Sequence, residues 1–184
     1  STVLMRIPGL VQRDGDVMDP VTGSNNLAIP GLTVGSYHIA VRHRNHLGVI
    51  TATPVSLLVT NTTRVDFAAS ATSVSGPESR LVIGANALLW VGDANSTDQI
   101  IANGPDNDTN IILSTVLLSL TNTSLSANHI KAGYELGDLN MDGDTIFAGP
   151  NNDVNLLIGN ILLHPGNSTF SANYVIKGSL PKAQ

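Results

Sequence analysis

Gly137-Asp138-Leu139-Asn140-Met141-Asp142-Gly143-Asp144 decides how this chain is read, because it has a counterpart upstream. Forty-five residues earlier, Gly92-Asp93-Ala94-Asn95 opens a second stretch of the same kind, which runs on through Thr97, Asp98 and Gln99. The same offset, with no gap, relates Gly104-Pro105-Asp106-Asn107-Asp108 to Gly149-Pro150-Asn151-Asn152-Asp153, and Ser126-Ala127-Asn128 to Ser171-Ala172-Asn173. Residues 92–134 and 137–179 share 16 identities over 43 positions, so the second half is an internal duplication.

Each repeat has one grammar: a polar Asp/Asn/Gly loop, a short apolar helix, then an Asn/Ser/Thr turn. The helices are expected at Asp108–Leu120 and Asp153–Leu163, with Asp108 and Asp153 as N-caps. Ile112, Val116 and Leu117 share one face of the first, and Leu157, Ile161 and Leu162 one face of the second. Pro165-Gly166 ends the second helix. Two helices with one apolar face each are satisfied by packing on one another.

The loops carry the sharpest chemistry in the chain. Asp138, Asn140 and Asp142 place oxygen side chains at positions 1, 3 and 5, with Gly143 at position 6. That is the front half of an EF-hand calcium loop, in which alternate side chains turn inward around a hard cation and glycine takes the sharp turn. Asp144, at position 7, offers its backbone carbonyl. Position 12, where an EF-hand closes with a bidentate acid, is Gly149, so the closing acid is Asp153, with Asn155 a further candidate. The first loop repeats the set as Asp93, Asn95, Thr97 and Gln99, with Asp98 in the glycine position and Asp108 closing. Thr97 gives a hydroxyl in place of a carboxylate, so the first site is expected to be the weaker. Asx-turns and helix caps without metal are the alternative reading. Repetition of the oxygen positions favours calcium, and flexible oxygen donors suit it better than magnesium.

Charge agrees with this division. Residues 1–90 balance at +1 and residues 91–184 at −6. The 184 residues carry a net charge of −5, 12% charged and 42% hydrophobic side chains, and no cysteine. Disorder needs low hydrophobicity and high net charge, and nucleic-acid binding needs a basic stripe, so both are excluded. Disulfides, thiolate metal sites and cysteine nucleophiles are absent with the cysteines. No apolar run reaches the roughly 18 residues of a membrane span. The opening Ser1-Thr2-Val3-Leu4, without an initiator methionine or signal peptide, is read as a processed or excised start.

The first half punctuates differently. Ser36–Arg42 alternates as a strand, Val49–Thr53, Val55–Thr60 and Arg64–Phe67 follow, and Asp14-Gly15-Asp16, Gly23–Asn26 and Asn61–Thr63 mark turns. Short strands with regular turns suggest a small β-sandwich, Ig-like or transthyretin-like. Ala69–Ser79, rich in Ser, Ala and Gly, reads as the linker. The expected fold is α+β: a β-sandwich over 1–75, a linker over 76–91, and a duplicated calcium-binding domain over 92–184 with repeats 92–136 and 137–181. Trp90, the only tryptophan, is expected to anchor the halves to one another.

The duplicated Gly-Asp-x-Asn-x-Asp-Gly loop before a short helix resembles dockerin modules, which carry two calcium loop-helix repeats. The longer form closed by Gly-Pro-Asn-Asn-Asp is similar to a dockerin-like C-terminal region of secreted Bacteroidota-type proteins, preceded there by a segment like Tyr37–Gly48. The resemblance spans about Leu10 to Asn173. It implies Asp138, Asn140, Asp142, Asp144 and Asp153 as calcium ligands, with Asp93, Asn95 and Asp108 as their counterparts.

Catalytic readings find little footing. His38, His43 and His46 have no neighbouring acid to orient them, and Arg42 and Arg44 repel a cation, so this segment reads as a solvated hairpin turn. There is no Gly-x-Ser-x-Gly elbow and no phosphate-cradling glycine loop. Sequons fall at Asn61, Asn95, Asn107, Asn122 and Asn167. Asn122 and Asn167, in equivalent exposed turns, are the candidates for a glycan, since one at Asn95 or Asn107 would obstruct the ion. The expectation is a non-enzymatic, extracellular or cell-surface module with two structural calcium ions, adhesive or a self-assembling surface or filament subunit, with β-strand addition from a neighbour as one means. The alternatives are a docking module that anchors a secreted enzyme to a protein partner and, for a chain with few aromatic platforms, a carbohydrate-binding module.

Overall fold

The computed structural model describes residues 2–180. The expected bounds run on to Ser1 and residue 184, and those ends lie outside the described residues. In chain order come β1 (Leu10–Val11), β2 (Val17–Met18), β3 (Gly35–Tyr37), β4 (Ala40–Val41), β5 (Val49–Ile50) and β6 (Val55–Leu57). Then follow β7 (Arg80–Ile83), β8 (Asn86–Leu89), β9 (Gln99–Ile100), α1 (Asp108–Leu117), β10 (Ile130–Ala132), β11 (Asp144–Ile146), α2 (Asp153–Leu163) and β12 (Ile176–Lys177). The chain is small and built mostly of short strands with two short helices, within the α+β or mainly-β class. No helix among the described residues is long and apolar enough to cross a membrane.

The duplication explains the pairing of the second half. β10, trailing α1, pairs with β11 in the second loop, so that Lys131 lies opposite Thr145. β12, trailing α2, pairs with β9 in the first loop, with Ile176 opposite Ile100. Adding 45 to Lys131 gives Ile176, and adding 45 to Ile100 gives Thr145. Each repeat therefore lends its trailing strand to the other's loop, and the exchange is reciprocal. The two helices bury Ile112 and Val116 on α1 and Leu157 and Ile161 on α2 at 0% exposure. Leu117 and Leu162, on the margins of those faces, are half-buried.

α2 ends at Leu163, before Pro165-Gly166. α1 is shorter than its apolar run implies, because the chain turns away at Leu118 and leaves Leu118 and Leu120 exposed. The turn is held by Asn122, whose Nδ2 donates to Val116 O (2.9 Å) and Ser126 O (2.8 Å) and whose Oδ1 accepts from Ser126 N (2.9 Å). Asn167 does the same with Ile161 O, Ser171 O and Ser171 N. These two asparagines are 4% and 3% exposed. The exposed turns expected there are thus buried helix stops, and a glycan on either Nδ2 would displace hydrogen bonds that the turn depends on. The N-caps are also shifted by one residue. Asn107 and Asn152 accept from Asn110 N (2.9 Å) and Asn155 N (2.8 Å), which frees Asp108 and Asp153 to turn back into the loops.

The first half differs from the expected sandwich. β1 pairs with β2, β3 with β6 and β4 with β5, each as a separate two-stranded sheet among the described residues. Strands of two or three residues offer at most one or two side chains per face, too few for an inter-sheet core. No hydrophobic side chain before Leu47 is buried, and Leu4, Val21 and Val59 are 67%, 90% and 87% exposed. Arg64–Phe67 forms no strand; Asp66 Oδ1 instead accepts from Ala68 N and Ala69 N as a turn.

The stretch over 76–91, read as a linker, carries the four-residue hairpin β7–β8. Arg80, 5% exposed, gathers the chain before it by donating to the carbonyls of Phe67, Ala69 and Thr72. Trp90 is buried with Leu47 in the same core as the helices and donates Nε1–H to Glu78 O (2.8 Å), while His164 and Tyr174 stack in series beside it.

Candidate metal centre

The two loops are one hydrogen-bonding pattern written twice. In the first, Asp93 Oδ1 accepts from Thr97 N (2.8 Å) and Oδ2 from Asp98 N (3.1 Å). In the second, Asp138 Oδ1 accepts from Asp142 N (3.2 Å) and Oδ2 from Gly143 N (3.2 Å). The closing acids reach back across their loops. Asp108 accepts from Asn95 N (3.2 Å) and Ile101 N (2.8 Å), and Asp153 from Leu139 N (2.7 Å), Asn140 N (3.3 Å) and Ile146 N (2.8 Å). Residue 3 completes the turn, since Asn95 Oδ1 accepts from Thr97 N (3.1 Å) and Asn140 Oδ1 from Asp142 N (2.9 Å). Ser96 and Met141 both take φ of +59°.

The first loop's departures from the motif leave its backbone unchanged. Asp98 adopts φ +63° where Gly143 has +96°, and aspartate is among the few residues that enter that region cheaply. Its side chain has other work. Asp98 Oδ2 accepts from Leu180 N (2.9 Å) and Asp98 O from Gly178 N (2.7 Å), which straps the segment after β12 onto the loop. Nothing in the linear motif pointed to that role. Thr97 donates its hydroxyl to Asn95 Oδ1 (2.7 Å), so residues 3 and 5 are tied together as Asn140 and Asp142 are through Asn140 Nδ2 (2.9 Å). Gln99 and Asp144 both start loop strands, with Asp144 N accepted by Asp142 Oδ1 (3.0 Å).

Burial separates these residues into two groups. Asp93, Asp108, Asp138 and Asp153 are 0–1% exposed, whereas Asn140 and Asp142 face solvent. Burial raises the Asp93 carboxyl above its ordinary range, against the pull of Asp98 N–H, Thr97 N–H and Arg42. Asp108 is pushed up to about 7, first by burial and further by the charge of Asp93. Asp153 is raised by burial and by the charge of Asp138. Each loop thus sets two buried carboxylates against each other, which is costly unless a cation sits with them. No three carboxylate or imidazole groups among the described residues gather into a ready-made cage. The donor set nevertheless fits a hard cation, because asparagine, hydroxyl and backbone oxygens supply the remaining positions in such loops.

A pH dependence follows. An acid whose folded pKa is raised gives stability that is complete below the unfolded value, 3.8 for Asp108, and is lost as pH climbs through about 7. A bound cation keeps the carboxylate ionised and removes that loss. Any stabilisation by calcium, taken as the melting temperature with calcium minus that with chelator, is therefore expected to grow between about pH 5 and pH 8. His46, which burial lowers to about 4, shifts both curves alike and cancels in the difference. A gain independent of pH would exclude these carboxylates as the binding groups.

The segment read as a solvated hairpin turn is packed against both loops. Asn45, Leu47 and Val49 are 0% exposed, and Asn45 Nδ2 donates to Leu136 O (3.0 Å) and Asp138 O (2.7 Å). Compared with known proteins, the chain matches no family model, no curated protein and no solved structure.

Proposed function

We propose that the chain is a non-catalytic extracellular module in which two calcium ions staple a dockerin-like pair of EF-hand-like loops. The observation that carries this reading is the repetition, at an offset of 45, of two buried carboxylates cradled by equivalent backbone N–H groups. The second ion would be held by Asp138, Asn140, Asp142, the Asp144 carbonyl and Asp153, the first by Asp93, Asn95, Thr97, the Gln99 carbonyl and Asp108. Extracellular calcium modules work with dissociation constants of roughly 10⁻⁴–10⁻³ M, so loops this sparse in carboxylate are filled there. The ions then take the place of the disulfides that a chain without cysteine lacks. In this reading the chain is a structural or adhesive block of a surface assembly, and the open edges of its two-stranded ribbons offer sites for strand addition by a neighbour.

A docking module is the second reading. It is favoured by apolar side chains exposed at equivalent places in both repeats: Leu118 with Leu163 at 77% and 74%, and Leu125 with Phe170 at 68% and 70%. Equilibrium dialysis against radiolabelled calcium tests the shared premise, with two ions per chain expected and none contradicting it. Sedimentation velocity over a range of concentrations then separates the readings. A coefficient that rises with concentration favours the assembly block, and a constant monomer value favours docking to a different protein.

A further inference from the structure

One short segment of the first half reaches both loops. Between β4 and β5 the chain runs Arg42-His43-Arg44-Asn45-His46-Leu47. Its backbone is fixed to the start of the first loop: Gly92 N donates to Asn45 O (2.8 Å), Leu47 N to Trp90 O (2.8 Å), and His46 bridges to Val91. Its side chains hold the start of the second loop through Asn45, as described above. Arg44 takes a φ of +37° there. Its guanidinium donates to Glu135 O and lies 3.5 Å over the Tyr134 ring.

The strap delivers one positive charge to each loop. Arg42 Nη1 lies 3.7 Å from Asp93 Oδ2, and Arg44 Nη2 lies 3.8 Å from Asp138 Oδ2. These aspartates hold the same first position in the two loops, although the arginines are only two residues apart. The separations exceed a hydrogen bond, and the guanidinium donors are used elsewhere, on Ser96 O (3.1 Å) and Glu135 O. Each arginine is thus held by carbonyls and acts on its carboxylate through charge. The two are unequal. The Arg44 side chain is 9% exposed against 38% for Arg42, and Arg42 also faces Asp98 at 3.8 Å, so the field of Arg44 is the less screened.

We propose that Arg42 and Arg44 are tethered counter-cations, which hold the loops in shape without an ion and oppose its entry, so that the strap sets the affinity of both sites. The proposal rests on the calcium reading above. An ion ligated by Asp138 or Asp93 shares that carboxylate with a guanidinium, and the like charges repel.

The test is calorimetric titration of calcium into the wild type, Arg42→Gln, Arg44→Gln and Arg44→Lys, with melts in chelator alongside. Neutralising Arg44 is expected to tighten binding by roughly threefold to tenfold, Arg42→Gln by less, and Arg44→Lys, which keeps the charge, hardly at all. In chelator, Arg44→Gln is expected to melt below the wild type, and saturating calcium to close most of that gap. Unchanged or weaker binding in both glutamine variants overturns the proposal and leaves the calcium reading intact. A wild type that takes up no calcium removes both. If Arg44→Gln fails to fold, Arg42→Gln decides alone.

Discussion

Asp153→Ala is expected to lower the unfolding free energy by about 4 kcal/mol even in chelator. The Asp153 carboxylate, 0% exposed, accepts from Leu139 N, Asn140 N and Ile146 N. Truncation strands these N–H groups at once, and a buried donor left unpaired costs more than a hydrogen bond gains. Asp153→Asn keeps one acceptor oxygen but turns an amide N–H₂ toward backbone donors, so an intermediate loss is expected. Denaturant unfolding measures both. A loss under about 1 kcal/mol for the alanine variant would mean that the loop rearranges around the gap. The same carboxylate thus serves the fold without any ion.

Separating the repeats is expected to have the larger effect. A chain ending at residue 136 keeps the first loop, α1 and β10, but loses β12, the partner of β9, and α2, whose Leu157 and Ile161 share a core with Ile112. What is left of the repeats is a single short helix and a loop without its strand partner, and Leu47 and Trp90 lose Leu157, Ile161 and Ile176 from their shared core. That is too little to hold a fold. Such a fragment is expected to give the amide spectrum of an unfolded chain, with or without calcium. Mixing it with a fragment carrying residues 137–184 should restore dispersion if the reciprocal exchange holds the domain together. A fragment that folds alone would show that the two repeats are independent units.

The second half was legible because its signals are local and repeated. The loop spacing, the start of each helix at Asp108 and Asp153, and the Pro165-Gly166 stop are features of short windows, and the duplication checks each against the other. The misreadings share a cause. Leu118 and Leu120 extend an apolar run and so extend the expected helix, yet a side chain distant in the pattern, that of Asn122, ends it. Asn122 and Asn167 look like surface sequons, because a buried asparagine that caps a helix is spelled the same way. Alternation suggests a sandwich, but the paired portions of those stretches are only two or three residues long. Alternation says which way side chains point, but says nothing of whether a second sheet lies opposite. In the linear sequence Arg42 and Arg44 are only charges that repel a cation. Their placement over Asp93 and Asp138, 51 and 94 residues along the chain, is a tertiary fact with no local signature.

The most direct test of calcium as the staple is a thermal melt with millimolar calcium and with excess chelator, on the wild type, Asp138→Ala and Asp93→Ala. Calcium is expected to raise the wild-type midpoint by several degrees, about 1–2 kcal/mol for a domain of this size. Asp138→Ala should lose more of that gain than Asp93→Ala, since the second loop carries Asp142 where the first has Thr97. Equal midpoints in calcium and chelator would contradict the account and leave the loops as turns and caps alone.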